Sequence, residues 1–201
     1  TVMALPEDEE TWDNLYVMFA TASGGVRRNK LSDFTKVNAN GKIAMKLDDG
    51  DHLVRVRVFE EDQNVFLATR KGKCIRFPVS DVRVFSSRNS TGVRGIRLAA
   101  DDEVIAMSGL NNIKVDVSER DAYLKSVNAS RRLIGGDYTE RLEEKLRDEE
   151  AASRLTEPLF MEMQGDEEFI LTVTADGFCK RSSAYGYRIS NRGGKGIDSM
   201  D

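Results

Sequence analysis

One histidine, two cysteines and three prolines in 201 residues leave little material for several kinds of chemistry. His52 stands alone inside "DDGDHL", which removes most imidazole acid–base catalysis and leaves it as a solvated turn residue. Cys74 and Cys179 are too few and too far apart for a zinc site, and no third or fourth cysteine or histidine ligand lies near His52. No cofactor is expected. Long apolar runs are also missing: "LYVMFA" and "FILTV" have strand length and fall far short of a membrane span. The first residues are acidic rather than a basic leader ahead of an apolar stretch, so a soluble protein with a cytoplasmic address is expected.

What the chain has in quantity is self-similarity. "VMFATASGGVRR" (17–28), "VFLATRKGKCIR" (65–76) and "ILTVTADGFCKR" (170–181) superpose without gaps. Each carries an apolar strand pattern, a threonine, a turn glycine (Gly24, Gly72, Gly177) and an arginine four residues later (Arg28, Arg76, Arg181). Two β-rich runs around a short glycine-containing loop predict a hairpin in every copy. A second block follows: "GKIAMKL" from Gly41, "GVRGIRL" from Gly92, and "GIDSM" from Gly196. Its alternation puts Ile43 and Met45 on one strand face. The spacing from Gly24 to Gly72, 48 residues, suits four-stranded propeller-type blades. Cys74 and Cys179 share a repeat address with Val26, which predicts packing residues.

Residues 111–166 break the period. "SERDAYLKSVNASRRL" predicts a helix that starts at its serine, Ser118, and runs without glycine or proline. "YTERLEEKLRDEEAASRL" spaces Tyr138, Leu142 and Leu146 for a second helix, after a turn at 135–137 and stopped by Pro158. The chain therefore reads as the end of a preceding blade with an acidic linker (1–13), two blade repeats (14–59 and 60–110), a helical insertion (111–166) and the start of a third blade (167–201).

The net charge of −4 averages unlike segments. Residues 1–15 hold five acids and no base, whereas 27–46 hold six bases against one acid and 70–97 eight against one. Cations recur after the hairpin glycine and around the second glycine, which predicts a basic stripe along successive blades. Duplex DNA, with one charge per ~1.7 Å of axis, is the natural partner of such a stripe. Aromatics do not interleave with the cations as single-stranded nucleic acid would require, and no helix reads as a groove-entering element.

The stretch "RISNRGGKGI" (188–197) concentrates three glycines and three cations. A nucleotide-binding loop would need a glycine where Ile189 stands and a hydroxyl residue where Gly196 stands. A clamp on the DNA backbone and a plain turn both remain open. In the first, Gly193, Gly194 and Gly196 admit close backbone approach while Arg192 and Lys195 supply charge.

The repeated hairpins, "TGVRGIRL" and "RGGKG" closely resemble the C-terminal domains of DNA gyrase A subunits, over nearly all of 1–110 and 167–201. The family's box reads Gln-Arg-Arg-Gly-Gly-Lys-Gly; Arg192 to Gly196 match its last five positions, and Ser190 and Asn191 depart from the first two. The resemblance implies an all-β fold, a β-pinwheel of four-stranded antiparallel blades that exchange strands. It implies wrapping of duplex DNA in support of ATP-dependent supercoiling, with the cleaving tyrosine, the ATPase and the gyrase B subunit of the heterotetramer met through the rest of the enzyme. Expected DNA-binding residues are Arg28, Lys42, Arg76, Arg94, Lys180, Arg181, Arg192, Gly193, Gly194, Lys195 and Gly196; no catalytic or metal-binding residue is expected. The corresponding domain of topoisomerase IV and a propeller-like protein-interaction scaffold are the alternative readings.

Overall fold

Threonine and glycine close every hairpin in the same way. In the computed structural model the Gly24, Gly72 and Gly177 amides donate to the Thr21, Thr69 and Thr174 carbonyls at 3.0, 3.1 and 3.0 Å. The three threonine hydroxyls accept from the amides of Gly25, Lys73 and Phe178 at 3.1, 3.1 and 3.2 Å. The three glycines have φ of +87°, +79° and +85°, a region a side chain rarely enters. The structure describes residues 3–87, 89–133 and 155–199, without the side chains of 129, 130, 132 and 133. The expected second helix over 138–154 and the turn at 135–137 lie outside them.

These turns join β1 (Tyr16–Thr21) to β2 (Gly25–Lys30), and after β3 (Leu53–Phe59) they join β4 (Asn64–Thr69) to β5 (Lys73–Pro78). A two-residue strand β6 (Val93–Arg94) and β7 (Val104–Leu110) follow. The chain then passes through α1 (Val117–Leu133), α2 (Glu157–Gly165), the hairpin β8 (Phe169–Val173) and β9 (Cys179–Ser183), and ends its regular structure at β10 (Ile197–Asp198). Two compact units result: Thr1–Asn112 with Tyr187–Asp201, and Ile113–Gly186. The third repeat is thus divided, its hairpin in one unit and its short last strand in the other.

The sheets of the first unit are antiparallel, in the orders β3-β1-β2-β6 and β10-β5-β4-β7. In both, the edge strand beside the hairpin comes from the next repeat: Val93 pairs with Val26, and Ile197 with Cys74. The glycine that opens each donated strand, Gly92 at φ +96° and Gly196 at φ +75°, crosses over its neighbour so closely that a Cβ would overlap the carbonyl oxygen of Val26 or Cys74. Strand exchange is therefore fixed by steric room as well as by hydrogen bonds. Met18, Ala20 and Val26 of the first sheet and Val65, Leu67, Ile75 and Phe77 of the second share one buried core, closed by Ile96. A smaller core gathers Trp12, Val17, Phe19, Leu31 and Met45.

Three expectations change here. No strand forms over the first copy's second block, and Ile43 and Met45 part company: Ile43 is 69% exposed and Met45 7%. The helix α1 starts not at Ser118 but at Asp116, whose carboxylate accepts from the Glu119 amide at 2.9 Å while Glu119 accepts from the Asp116 amide at 2.9 Å, a reciprocal capping box. Pro158, expected to end a helix that lies outside the described residues, instead opens an unexpected one: it sits in the first turn of α2, where its missing N–H is harmless.

The second unit has its own core. Tyr123, Val127, Met163 and Tyr185 are buried together, with Tyr123 and Tyr185 edge to face at 5.6 Å. Tyr123 donates to Glu167 at 3.0 Å, and Arg131 pairs with the same carboxylate oxygen at 2.5 Å. Burial, reinforced by the Glu167 carboxylate, pushes the Tyr123 phenol well above its ordinary range, so it stays a hydrogen-bond donor.

The crossing glycines generate a test. Gly92→Ala should lower the urea midpoint markedly, because left-handed strain of ~1–2 kcal/mol adds to a backbone overlap. Gly41→Ala, at φ +77° with nothing within 4 Å, should show the strain alone. Equal losses in the two variants would deny the crossing its role.

Candidate nucleic-acid interface

The repeat arginine serves the fold first. Arg28 is 5% exposed; its guanidinium lies 4.5 Å from the Tyr16 ring centroid and pairs with Glu61 at 2.6 Å. Burial, together with the hydrogen bond and charge of Glu61, raises the Tyr16 phenol. Arg76 is 4% exposed and donates to the Asn111 carbonyl at 2.8 Å. In the third copy Arg181 is exposed, yet its guanidinium stacks over Phe169 at 4.5 Å, the address Tyr16 holds in the first copy. The expectation that Arg28 and Arg76 line an outer DNA track is therefore corrected: both guanidinium groups are buried against their own blades, and strand position rather than charge explains their recurrence. Arg27, not among the expected site residues, is fully buried, bonded to Asn29 at 2.8 Å and to Ser90, and burial lowers its pKa.

The RGGKG loop is likewise built inward in part. Arg192 donates from Nε to the Asp81 carbonyl at 2.9 Å and from Nη1 to the Arg94 carbonyl at 3.0 Å. Gly193 donates its amide to Gly95 at 2.6 Å, and Gly194 accepts from the Arg97 amide at 2.8 Å. The backbone amide of Gly193, expected to face a phosphate, is thus taken by protein, and Gly196 serves the strand crossing. These contacts lace the loop to the second repeat's own glycine block. Arg94, Arg97 and Lys195 project as exposed cations from the laced segments. Arg97 is an addition to the expected set, and its position in "GVRGIRL" was the signal for it. Lys42 is exposed in the first unit and Lys180 in the second.

Beside the loop lies a crevice of about 190 Å³, with Arg188, Ser190, Lys195 and Cys74 among its walls. Burial, with the nearby Asp198 carboxylate, pushes the Cys74 thiol up to about 11, so at neutral pH it is a packing group and not a nucleophile. Cys179, expected to pack as well, is exposed instead. Among the described residues no cluster of three metal-binding side chains occurs, and no helix is long and apolar enough to cross a membrane.

The acidic rim has a structural task. Asp51 accepts from the Ser23 amide at 3.0 Å and the Ser23 hydroxyl at 2.6 Å, and from the His52 amide at 2.9 Å. Asp102 repeats this in the second blade, accepting from the Lys71 and Glu103 amides at 3.0 and 2.9 Å. Each carboxylate ties the hairpin turn to the start of the third strand. Burial opposes the charge on Asp51, but hydrogen bonds from the Ser23 and Thr21 side chains and from the Ser23 and His52 amides outweigh it and hold the carboxyl below its usual range.

Blades that borrow their outer strand from the following repeat, laced by a glycine-rich basic loop, define a strand-exchanging β-propeller with a cationic edge. The family model described as "DNA gyrase C-terminal domain, beta-propeller" matches residues 15–60, 63–111 and 168–200, and the chain belongs to that family. It is 52% identical over 200 residues to the DNA gyrase A protein of Rickettsia bellii, covering 100% of this chain and 21% of that protein. To the Granulibacter bethesdensis gyrase A protein it is 45% identical over 207 residues, covering 100% of this chain and 22% of that protein. The chain thus spans about a fifth of the length of these curated relatives. The solved C-terminal domains of DNA topoisomerase IV and of DNA gyrase A share its fold. Their TM-scores are 0.59 and 0.58 at 17% and 20% identity, each over 92% of this chain and over 41% and 43% of theirs.

Two measurements check this division of labour. Arg28→Ala should cost about 1–3 kcal/mol in urea unfolding, since it removes a buried side chain and uncovers Tyr16, whereas Lys195→Ala should stay within about 0.5 kcal/mol. For Asp51, a folded pKa below the unfolded value of ~3.9 means its stabilisation is complete above that pH and is lost as pH falls through the folded value. Unfolding curves between neutral and acid pH should therefore be flatter in that window for Asp51→Asn; an unchanged acid slope would contradict the turn's dependence on this charge.

Proposed function

We propose that this chain is the DNA-wrapping module of a DNA gyrase A protein, holding duplex DNA by its phosphates along exposed cations. The observation that carries the reading is the laced seam of the first unit, where Arg94, Arg97 and Lys195 stand exposed on a backbone fixed by the Gly193–Gly95, Gly194–Arg97 and Arg192–Arg94 bonds. Exposed cations on a fixed backbone suit contact with phosphates and carry no sequence readout. Lys42, Lys180 and Arg181 extend the candidate set, Arg181 with its charge stacked on Phe169.

The energetics allow it. Bending a site of about 20–30 base pairs by about 40–90° costs on the order of 1–6 kcal/mol. About 6–10 phosphate contacts carry three to five decades of affinity between 50 and 200 mM salt, at ~1.4 kcal/mol per decade. In this reading the curved path presents a crossing segment to a strand-passage core, which lies with the ATPase and the gyrase B subunit in the remainder of a cytoplasmic heterotetramer. The chain itself acts without a cofactor. The fold is shared with topoisomerase IV domains, and the 45–52% identities to gyrase A proteins favour gyrase.

Fluorescence anisotropy on two unrelated duplexes tests it. Replacing Arg94, Arg97 and Lys195 together with alanine should weaken both equally and flatten the slope of log K against log salt by about 0.9 for each lost contact. Loss confined to one sequence, or an unchanged slope, would overturn backbone binding by this seam and leave a protein-docking scaffold. Bound relaxed plasmid should also change linking number after nicking and closing; binding with no change would mean adhesion without a chiral wrap.

A further inference from the structure

Phe85 lies in the connector between the second hairpin and its glycine block, and the preceding repeat holds both of its backbone groups. Its amide donates to the Arg28 carbonyl at 2.8 Å, and its carbonyl accepts from the Asn29 side chain at 2.6 Å. Two guanidinium groups approach the ring, Arg27 at 5.0 Å and Arg83 at 4.2 Å from its centroid. Their circumstances differ. Arg27 is fully buried and bonded to Ser90, whereas Arg83 is exposed and has no hydrogen bond or ion pair among the described residues.

A guanidinium stacked by its face keeps its edge available. The ring covers one side of the plane, while the five N–H donors within the plane still point outward in the fork that fits two phosphate oxygens. The stack also removes rotamers that a free surface arginine would have to give up on binding. Arg83 is thus a charge already set in place and not yet used.

Its position relates it to the cationic seam. Arg192 of the RGGKG loop spans the Asp81 and Arg94 carbonyls at 2.9 and 3.0 Å, so that Arg83, two residues beyond Asp81, and Arg94 flank one guanidinium bridge. The connector of the next repeat follows the same backbone plan. Ser190 donates its amide to the Arg76 carbonyl at 2.9 Å, as Phe85 does to Arg28, and the residue two places before it is again an exposed arginine, Arg188. Both arginines belong to connectors and not to the hairpins that bury Arg28 and Arg76. We propose that Arg83, which is outside the expected DNA-binding set, is a further phosphate contact of the surface formed by Arg94, Arg97 and Lys195, and that Phe85 is its positioning residue; the proposal rests on the wrapping reading.

Anisotropy titrations over a range of salt, on the same two duplexes, test both roles. Arg83→Ala should leave the urea midpoint unchanged, weaken both duplexes alike and lower the slope of log K against log salt by about 0.9, the value for one contact. Arg83→Lys should keep the slope, because the charge stays, and lose affinity, because the flat stack and the fork are gone. Phe85→Leu should weaken binding by about two- to fivefold, the size of an exposed cation–π contact, yet change nothing further when added to Arg83→Ala. A ring with a merely structural role would cause the same loss in both backgrounds, and that result would overturn the positioning role. Arg83→Lys carries this arm alone where Phe85→Leu is too unstable to assay: affinity equal to the parent would overturn the stack. A flattened slope in the variant lacking Arg94, Arg97 and Lys195 but not in Arg83→Ala would remove Arg83 from the surface and leave wrapping intact. A slope unchanged in both would bring down the wrapping reading itself.

Discussion

The crossing of a glycine over a neighbouring carbonyl is the constraint on which the first unit depends. At Val26 and at Cys74 the next repeat's chain passes so near that a methyl group has no room, and a left-handed φ turns it into register. One residue type at one address therefore selects which strand completes which sheet. The shared core then closes behind it, with Ile96 delivered into the space between the two hairpins by the same segment. Packing alone would accept many apolar residues there; the backbone approach accepts only glycine.

Charge in this chain divides by depth. Cations that recur with the hairpin are consumed by it, as Arg28 is by Tyr16 and Glu61. Acids that recur beside the turns, Asp51 and Asp102, hold backbone amides. What is left facing solvent on the laced seam comes from the glycine blocks, which repeat less faithfully. A regular charge pattern thus reports architecture, and its departures report the surface available to a partner. That inversion matters because the sum of formal charges says nothing about either.

Much of the architecture was legible in the sequence. The threonine-glycine turns, the three hairpins and the 48-residue period were readable because each is a local backbone requirement written in residue type. The DNA-binding set was readable only in part, because burial is a tertiary property: nothing in "VRR" or "CIR" distinguishes an arginine lying on a tyrosine from one facing water. The Asp116–Glu119 capping box is present in the letters, but Ser118, two residues on, competes with it as a start signal, and only the hydrogen bonds separate the two. Cys179 misleads for the opposite reason, since its address promises burial that no partner strand among the described residues supplies.

Borrowed edge strands also order events during synthesis. The first sheet's hairpin is complete once Lys30 has emerged, but its fourth strand is Val93–Arg94, so the sheet waits for more than sixty further residues. At about 5–20 residues per second, a ribosome takes several seconds to deliver them. Through that interval the hairpin must persist with an open flank, and the second hairpin, complete at Pro78, waits nearly twice as long for Ile197–Asp198. Chaperone demand during translation should accordingly peak not within a repeat but in the lag between one hairpin and the glycine block of the next.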